Sequence, residues 1–343
     1  MSYLTDRTHF VNIDGSILSV HPVSYGVPQG SVLGPLLYLL YTSPLGNLMR
    51  KHDISFHLYA DDNQIYTTSS FNNDVELSSA TCRVERCLSD ITNWMSANKL
   101  KLNTSKTELL VLHSKFRQMS LQPSITVKSD TIRPSIKARN IGVTFDSTLT
   151  MSPQINKVVK GEFYHLRNIA KIRKYIGAGT TEVLIHSFVS SRLDFCNSLL
   201  YGLPKYEVNK LQNVQNAAAR VIAGLRKYDH ISPTLRNLHW LPVQERIVFK
   251  MNLMRFKIVN NIAPKYLKEL VCRYEPTRKL RSSADKWRLT ERPYKLKTYG
   301  YRAFSVAGPK VWNTLPVDIR SLTNIDTFKS KLKTHLFKLV YDI

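Results

Sequence analysis

The chain has 343 residues, enough for two or three domains, and its apolar fraction of 43 % excludes global disorder. Its formal net charge of +24 is extreme for an enzyme of metabolism and indicates a polyanionic partner, most often nucleic acid. Residues 1–150 carry 14 Lys/Arg and 12 Asp/Glu, whereas residues 151–343 carry 35 and 13. We therefore expect the chemistry in the first part and the grip on a polyanion in the second.

Cysteine usage and the N-terminus set the compartment that we expect. Four scattered cysteines are too few for a disulfide framework and lack zinc-site spacing: Cys82, Cys87, Cys196 and Cys272. The N-terminus has no signal-peptide core, and no apolar run reaches the ~18 residues that a membrane span needs. We expect an intracellular protein, nuclear or cytoplasmic, without membrane association.

The first elements in chain order are a hairpin and a helix. Residues 8–24 alternate apolar and polar side chains around Asp14-Gly15, a preferred turn dipeptide, which predicts a β-hairpin. The Gly/Pro-rich turn 26–30 then precedes a predicted helix over 31–49, with Pro35 in its first turn, where proline is tolerated.

A second predicted hairpin, with strands at 56–59 and 64–67, presents two adjacent carboxylates, Asp61 and Asp62, at its turn. Neighbouring like charges repel unless a cation relieves them, and a hard divalent ion such as Mg²⁺ is the natural one. Taken alone, an Asp-Asp pair also fits an ordinary turn.

The rest of the first part predicts a further helix and several short strands. The helix spans 74–97, and strands are expected at Leu100 to Leu102 and at the three segments 109–112, 125–136 and 141–145. Residues 1–150 therefore predict a mixed α/β layer with helices on one face of a sheet.

Beyond residue 150 the pattern is helical and basic. Residues 153–176 have one apolar face and many Lys/Arg on the remainder. Residues 275–300 are irregular and basic. Further helices are predicted near 181–200, 206–225, 243–260, 264–272 and 327–341.

An ordered set of motifs resembles the reverse transcriptases of non-LTR retrotransposons (LINE elements), in particular the Jockey/CR1-like group. Gly26–Pro35 looks like motif B, Tyr59–Asp62 like the Y-x-D-D box of motif C, and Ile141–Asp146 like motif E, with Lys106 where motif D has its lysine. Downstream segments also resemble that group, namely 211–220, 239–243 and 302–316.

The resemblance implies a fold and a domain order. It implies an α+β palm over 1–150, with an antiparallel sheet and helices on one face, then an all-α thumb over 151–225 and a mostly helical basic region over 226–343. It also implies template-directed nucleotidyl transfer by two Mg²⁺ ions, with an RNA template and a DNA primer, or duplex nucleic acid, as partners. Such binding is compatible with a ribonucleoprotein.

The resemblance further implies roles for single residues. Asp61 would be the principal metal ligand and Asp62 the weaker one, while Tyr59 would lie against the primer terminus. Lys106 would protonate the leaving pyrophosphate, although a solvated turn lysine fits the position equally well. The pocket beneath the templating pair and the primer grip would involve Gln29 and Gly30, and Gly142 and Val143, respectively.

The basic and aromatic residues of the second part have alternative uses. Lys/Arg on the helix at 153–176 would contact phosphates, namely Lys157, Lys160, Arg167, Lys171 and Lys174, although a basic helix face is by default only solvated. Four aromatic residues would stack on bases or, as we favour, fill a core: Tyr299, Tyr301, Phe304 and Trp312.

One expected part of the site is missing from the sequence. Enzymes of this family have a further metal-binding aspartate in motif A, upstream of the hairpin at 8–24, and neither Asp6 nor Asp14 has that setting. The fingers are not found either. We therefore expect an N-terminally truncated reverse transcriptase that does not polymerise alone. The alternatives are a non-enzymatic nucleic-acid-binding remnant and a translated fragment without a role.

Overall fold

The computed structural model describes residues 5–27, 30–70, 73–116, 122–275 and 285–342. The protein is mixed α/β, about 52 % helical, with small antiparallel sheets. It divides into two compact units, Met1–Gly142 and Val143–Ile343. Within the described ranges, no helix combines the length and the apolar character needed to cross a membrane.

The first unit contains short strands and three helices in its described part. In chain order these are β1 (Thr8–His9), β2 (Asn12–Ile13), β3 (Ser16–Ile17), β4 (His21–Pro22), α1 (Gly34–Thr42), α2 (Leu45–Lys51), β5 (Ser55–Tyr59), β6 (Asp62–Tyr66), α3 (Asp74–Ala97), β7 (Ile125–Val127), β8 (Asp130–Ile132) and β9 (Lys137–Asn140). The pairs β1–β4, β2–β3, β5–β6 and β7–β8 are antiparallel.

The expected single sheet of the first unit is wrong for the described residues, because those four pairs are separate two-stranded ladders. The strands predicted at Leu100 to Leu102 and at 109–112, which would have extended a sheet, are not formed; Leu109 makes one isolated bridge. The leucines at 100, 102 and 109 instead pack half-buried against the core of the unit. Apolar side chains can be buried without a hydrogen-bonded ladder, so their spacing alone did not determine strands.

The predicted N-terminal hairpin is confirmed. Asp14 and Gly15 form its turn with φ of +48° and +85°, and a two-residue turn with positive φ at both positions matches the twist of the flanking strands.

The predicted helix over 31–49 is divided into α1 and α2 at Ser43-Pro44. Proline has no N–H to donate to the carbonyl four residues earlier, that of Leu40. The Ser43 N–H and hydroxyl bond that carbonyl instead, at 3.4 and 2.9 Å. The helix predicted over 74–97 is confirmed as α3, and Asn73 caps it by accepting from the Glu76 N–H at 3.1 Å.

The core of the first unit is a single cluster. Met49 of α2 and Cys87 of α3 are fully buried in it, and Val127 of β7 is 2 % exposed. Half-buried Phe56 and Leu58 of β5 pack against this cluster, which fixes the carboxylate hairpin on a helical support.

The second unit is mostly helical. It contains β10 (Val143–Asp146), α4 (Ser152–Ile172), α5 (Ala178–Ile185), α6 (Ser191–Asp194), α7 (Lys205–Ala223), α8 (Ser232–Asn237), α9 (Val243–Val259), α10 (Lys265–Lys268), α11 (Phe304–Asn313), α12 (Val317–Arg320) and α13 (Ile325–Tyr341). A π-helical turn, His186–Ser190, joins α5 to α6. The helices α8, α11 and α12 were not predicted, since each contains or follows a proline that reads as a loop signal.

Two apolar clusters stabilise the second unit. One includes Ile155 of α4, Ile185 of α5 and Leu211 of α7, and the other includes Phe256, Trp312 and Phe328 of α9, α11 and α13. Trp312 is fully buried and donates its indole N–H to the Trp287 carbonyl at 2.8 Å, which confirms core packing as its use. The boundary expected at residue 225 stays a prediction.

Candidate active site

The carboxylate pair lies at the end of the β5–β6 hairpin. Tyr59 pairs with Asp62 across the ladder, and Ala60 and Asp61 form the turn, with Ala60 at φ +52°. The predicted four-residue turn is therefore shorter in the structure, and Asp62 is the first residue of β6. The strand backbone fixes the direction of the Asp62 side chain, whereas Asp61 projects from the turn.

The two faces of this hairpin differ in chemistry because side chains alternate along a strand. Phe56, Leu58 and Ile65 lie on the face that packs against the core. Tyr59, 63 % exposed, and Asp62 lie opposite each other on the outer face. The alternation thus places one carboxylate and one aromatic ring side by side in solvent, on a hairpin whose other face packs against the core.

Helix α1 brings a tyrosine close to the turn. Burial raises the pKa of Tyr38, and the nearby Asp61 carboxylate raises it further. Nothing in the sequence indicated this proximity, because Tyr38 lies on α1 and a second helix, α2, separates α1 from the hairpin.

The outer face of the hairpin also contacts the end of β9. Gln64 lies two residues from Asp62 on the same face, about 7 Å along the strand. Its side-chain carbonyl accepts from the Asn140 amide at 3.2 Å. Asn140 directly precedes Ile141 and Gly142, which have φ of +43° and +83° and form the turn predicted as part of the primer grip. The carboxylate hairpin and this turn are therefore neighbours, a contact that the sequence did not predict.

The segment before α1 has backbone geometry that requires glycine. Gly26 and Gly30 have φ of +78° and +81°, and no atom lies within 4 Å of where a Cβ would be. An approaching molecule therefore meets open backbone at Gly30. Gln29 lies outside the described residues.

Lys106 ends a 3₁₀ turn, Thr104–Lys106, and its side chain is exposed. Among the described residues it forms no ion pair with Asp61 or Asp62. Its two readings, general acid and solvated lysine, both stay predictions.

The donor set at the hairpin fits Mg²⁺ in a particular way. Mg²⁺ in nucleotide-processing sites is held by one or two carboxylates, several waters and substrate phosphates, rather than by an all-protein cage. Asp61 and Asp62 provide two exposed carboxylates of this kind. No group of three or more acidic, His or Cys side chains suited to a metal is found within the described part of the chain.

The second unit presents a basic surface on α4, which we call the α4 basic face: Lys157, Lys160, Arg167 and Lys171. At 100° per residue these side chains fall within an arc of about 80°, and all are exposed. The exposed ring of Tyr164 lies in the same arc, and exposed Lys174 follows in the next 3₁₀ turn. The opposite side of α4 is buried through Ile155, Leu166 and Ile169, so packing directs the cations outwards.

Comparison with known proteins identifies the class. Residues 2–145 match the family described as reverse transcriptase (RNA-dependent DNA polymerase), a range that includes the carboxylate hairpin and the Ile141-Gly142 turn. Residues 2–145 therefore correspond to the reverse transcriptase domain of retrotransposon-encoded RNA-directed DNA polymerases.

Particular relatives are mobile-element polymerases of Drosophila melanogaster. The chain is 24 % identical to the RNA-directed DNA polymerase from mobile element jockey, over 78 % of this chain and 28 % of the relative. It is 26 % and 25 % identical to the probable RNA-directed DNA polymerases from transposon BS and transposon X-element, each over 72 % of this chain and 27 % of the relative. The chain thus spans about a quarter of the length of these relatives. No solved structure matches it significantly.

Proposed function

We propose that this chain provides the carboxylate hairpin and a nucleic-acid grip of an RNA-directed DNA polymerase. The observation that carries the proposal is the contact between Gln64 on the Asp62 face and Asn140 before the Ile141-Gly142 turn. A polymerase must hold the primer terminus beside its metal ligands, and this contact joins the two parts that such a site requires.

In this proposal the first unit is a palm. Asp61 and Asp62 hold Mg²⁺, which when bound lowers the pKa of the primer hydroxyl and neutralises charge on the phosphates. The ring of Tyr59, opposite Asp62, lies against the primer terminus. Gly30, with Gln29, shapes the pocket beneath the templating pair. Gly142 and Val143 orient the primer.

The second unit then binds the duplex as a thumb. The α4 basic face and Lys174 contact phosphates of an RNA template paired with a DNA primer, so affinity falls as salt rises. These contacts carry no sequence information, which suits an enzyme that must move along its template. A ribonucleoprotein with the template RNA is the partner assembly that we propose.

The proposal is tested by the stability of a ternary complex. The full chain is mixed with a primed RNA template whose primer ends in a dideoxynucleotide, then with Mg²⁺ and the next complementary nucleotide, and the dissociation rate of the duplex is measured. The complementary nucleotide should slow dissociation about tenfold or more, and a mismatched one should not.

Matched variants separate the metal ligands from general charge. Asp61→Asn should abolish the slowing by nucleotide, while Asp130→Asn, an exposed carboxylate of β8, should leave it intact. Binding that is indifferent to nucleotide and to Asp61 would overturn the proposal and support a non-enzymatic binder. Primer extension with an unblocked primer tests the expectation that the chain alone does not polymerise.

A further inference from the structure

A turn of unusual geometry follows β10 in the second unit. It spans residues 147–151 and connects β10, which begins at Val143, to α4. Leu149 and Met151 have φ of +49° and +61°, a region that residues other than glycine seldom adopt. Such a conformation persists only where surrounding contacts hold it.

One side of this turn is held by Asp146, the last residue of β10. Its carboxylate accepts from the N–H groups of Thr150 and Met151 at 2.9 and 2.8 Å and from the Thr148 hydroxyl at 2.9 Å. Burial raises the pKa of Asp146, but these hydrogen bonds outweigh burial and lower it. The amide side of the turn is therefore satisfied within the turn itself.

The carbonyl side is held by a distant part of the chain. The Tyr299 hydroxyl donates to the Thr148 carbonyl at 3.2 Å, and the Arg302 guanidinium donates to the Leu149 carbonyl at 2.7 Å. These partners are separated by 151 and 153 residues. The C-terminal region, which had no assigned role, thus closes the turn after β10.

The segment that provides these donors is itself fixed on its other side. The hydroxyls of Tyr301 and Tyr201 are 3.2 Å apart. Gly202 has φ of +72°, and a Cβ there would lie 2.9 Å from Cγ of Arg302. Residues 299–302 therefore pack between the turn on one side and the 201–202 loop on the other. This packing restricts the movement of the two donor side chains, Tyr299 and Arg302.

We propose that Tyr299 and Arg302 are positioning residues that lock the 147–151 turn and thereby hold β10, with Val143 of the primer grip, in one position against α4. This inference rests on the proposed function for its catalytic meaning. In this proposal the C-terminal region acts on the primer grip through the 147–151 turn and not through a contact with nucleic acid.

Hydrogen exchange of the full chain tests whether Tyr299 and Arg302 lock the 147–151 turn. Arg302→Ala and Tyr299→Phe should each speed amide exchange in 143–151 about tenfold, while exchange in α9 and α13 stays unchanged. Arg302→Lys, which keeps one donor, should restore much of the protection. The matched controls Arg236→Ala and Tyr228→Phe remove an exposed guanidinium and an exposed hydroxyl, and should change nothing.

The effect on the primer grip is tested with 2-aminopurine at the primer 3′ end. The fluorescence of this base rises when the terminal base unstacks as the grip holds it. Arg302→Ala should bind the primed RNA template with an unchanged Kd yet lose most of the fluorescence change, and Arg302→Lys should regain it. A structural defect alone would lower binding and signal together.

The outcomes distinguish this inference from the proposed function. A wild-type chain without the fluorescence change overturns the proposed function and, with it, the catalytic meaning of the contacts that Tyr299 and Arg302 make. A wild-type signal that Arg302→Ala retains in full, or unchanged exchange in 143–151, overturns this inference and leaves the proposed function standing.

Discussion

The two units differ in the side chains that they bury. In the first, apolar side chains remain exposed on the N-terminal hairpin and α1, among them Ile13 at 60 % and Leu40 at 64 %. In the second, charged side chains are buried, among them Glu162 and Arg255, both fully. The first unit therefore presents surface and chemistry, whereas the second supplies packing so extensive that it tolerates buried charge.

This contrast explains why site and stability are separated. Asp61, Asp62 and Tyr59 lie on a short hairpin supported by one cluster of apolar residues. The cations of the second unit lie on helices anchored by two clusters. Substitutions at the carboxylates should therefore change chemistry with little effect on folding, and substitutions in the helical cores should do the reverse.

The largest expected effect is loss of core packing in the second unit. Trp312→Ala removes a fully buried ring that stacks 5.9 Å from Phe328 and leaves the Trp287 carbonyl without its donor. We expect a loss of about 3–5 kcal/mol in the free energy of unfolding, measured by urea denaturation. Phe10→Ala removes a ring that is 51 % exposed in the first unit. An equal loss of unfolding free energy in this variant would contradict the difference between the two units.

The next largest effect is pH-dependent and arises at Glu162. Burial raises its pKa from the ordinary 4.5 to about 7, although the charge of Arg192, 3.8 Å away, opposes the rise. The folded state therefore holds its proton more tightly than the unfolded state does. The contribution of Glu162 to the free energy of unfolding is therefore fully present below pH 4.5. It is lost as the pH rises to about 7, a fall of about 3 kcal/mol.

Glu162→Gln should remove this fall, so unfolding free energy measured between pH 4.5 and 7.5 becomes flat by comparison. Glu269→Gln, an exposed carboxylate of the same unit, is the matched control and should leave the profile as in the wild type. An identical pH profile in all three proteins would show that Glu162 is not desolvated.

Two glycines of the second unit, one in close contact and one in open space, test how closely its helices pack. A Cβ at Gly308 of α11 would overlap the buried Arg255 guanidinium, whereas one at Gly161 of α4 meets nothing within 4 Å. Gly308→Ala should destabilise by about 1–3 kcal/mol, and Gly161→Ala should stabilise by about 0.5–1 kcal/mol, because it only adds helix propensity. Thermal melts of both variants measure this, and equal shifts would contradict close packing of α9 on α11.

The smallest effect per residue is expected on the α4 basic face. Changing Lys157 or Lys160 to Gln should reduce the slope of log K against log salt by about 1 for each lost phosphate contact. Lys101→Gln, an exposed lysine of the first unit, should leave the slope unchanged. An equal change of slope for Lys101→Gln would contradict the assignment of phosphate binding to the second unit.

Sequence periodicity predicted the long amphipathic helices and the two hairpins, because each of them depends on local pattern and turn chemistry. It failed at residues 100–112, where leucines are buried without strand pairing, and at Pro44, which divides a helix of continuous apolar spacing. The contacts that matter most for the site join residues far apart in sequence. Gln64 with Asn140, Tyr38 with Asp61, and Arg302 with the Leu149 carbonyl have no local signal.

The central claim is that Asp61 and Asp62 form a metal site beside a bound primer, and Mn²⁺ binding followed by electron paramagnetic resonance tests it most directly. The full chain is titrated with Mn²⁺ in the presence of a dideoxy-terminated primer on RNA and the complementary nucleotide. The wild type should bind Mn²⁺ beyond what the nucleic acid and nucleotide bind by themselves, and the double variant Asp61→Asn, Asp62→Asn should lose that excess. Equal Mn²⁺ binding by the two proteins would contradict the account.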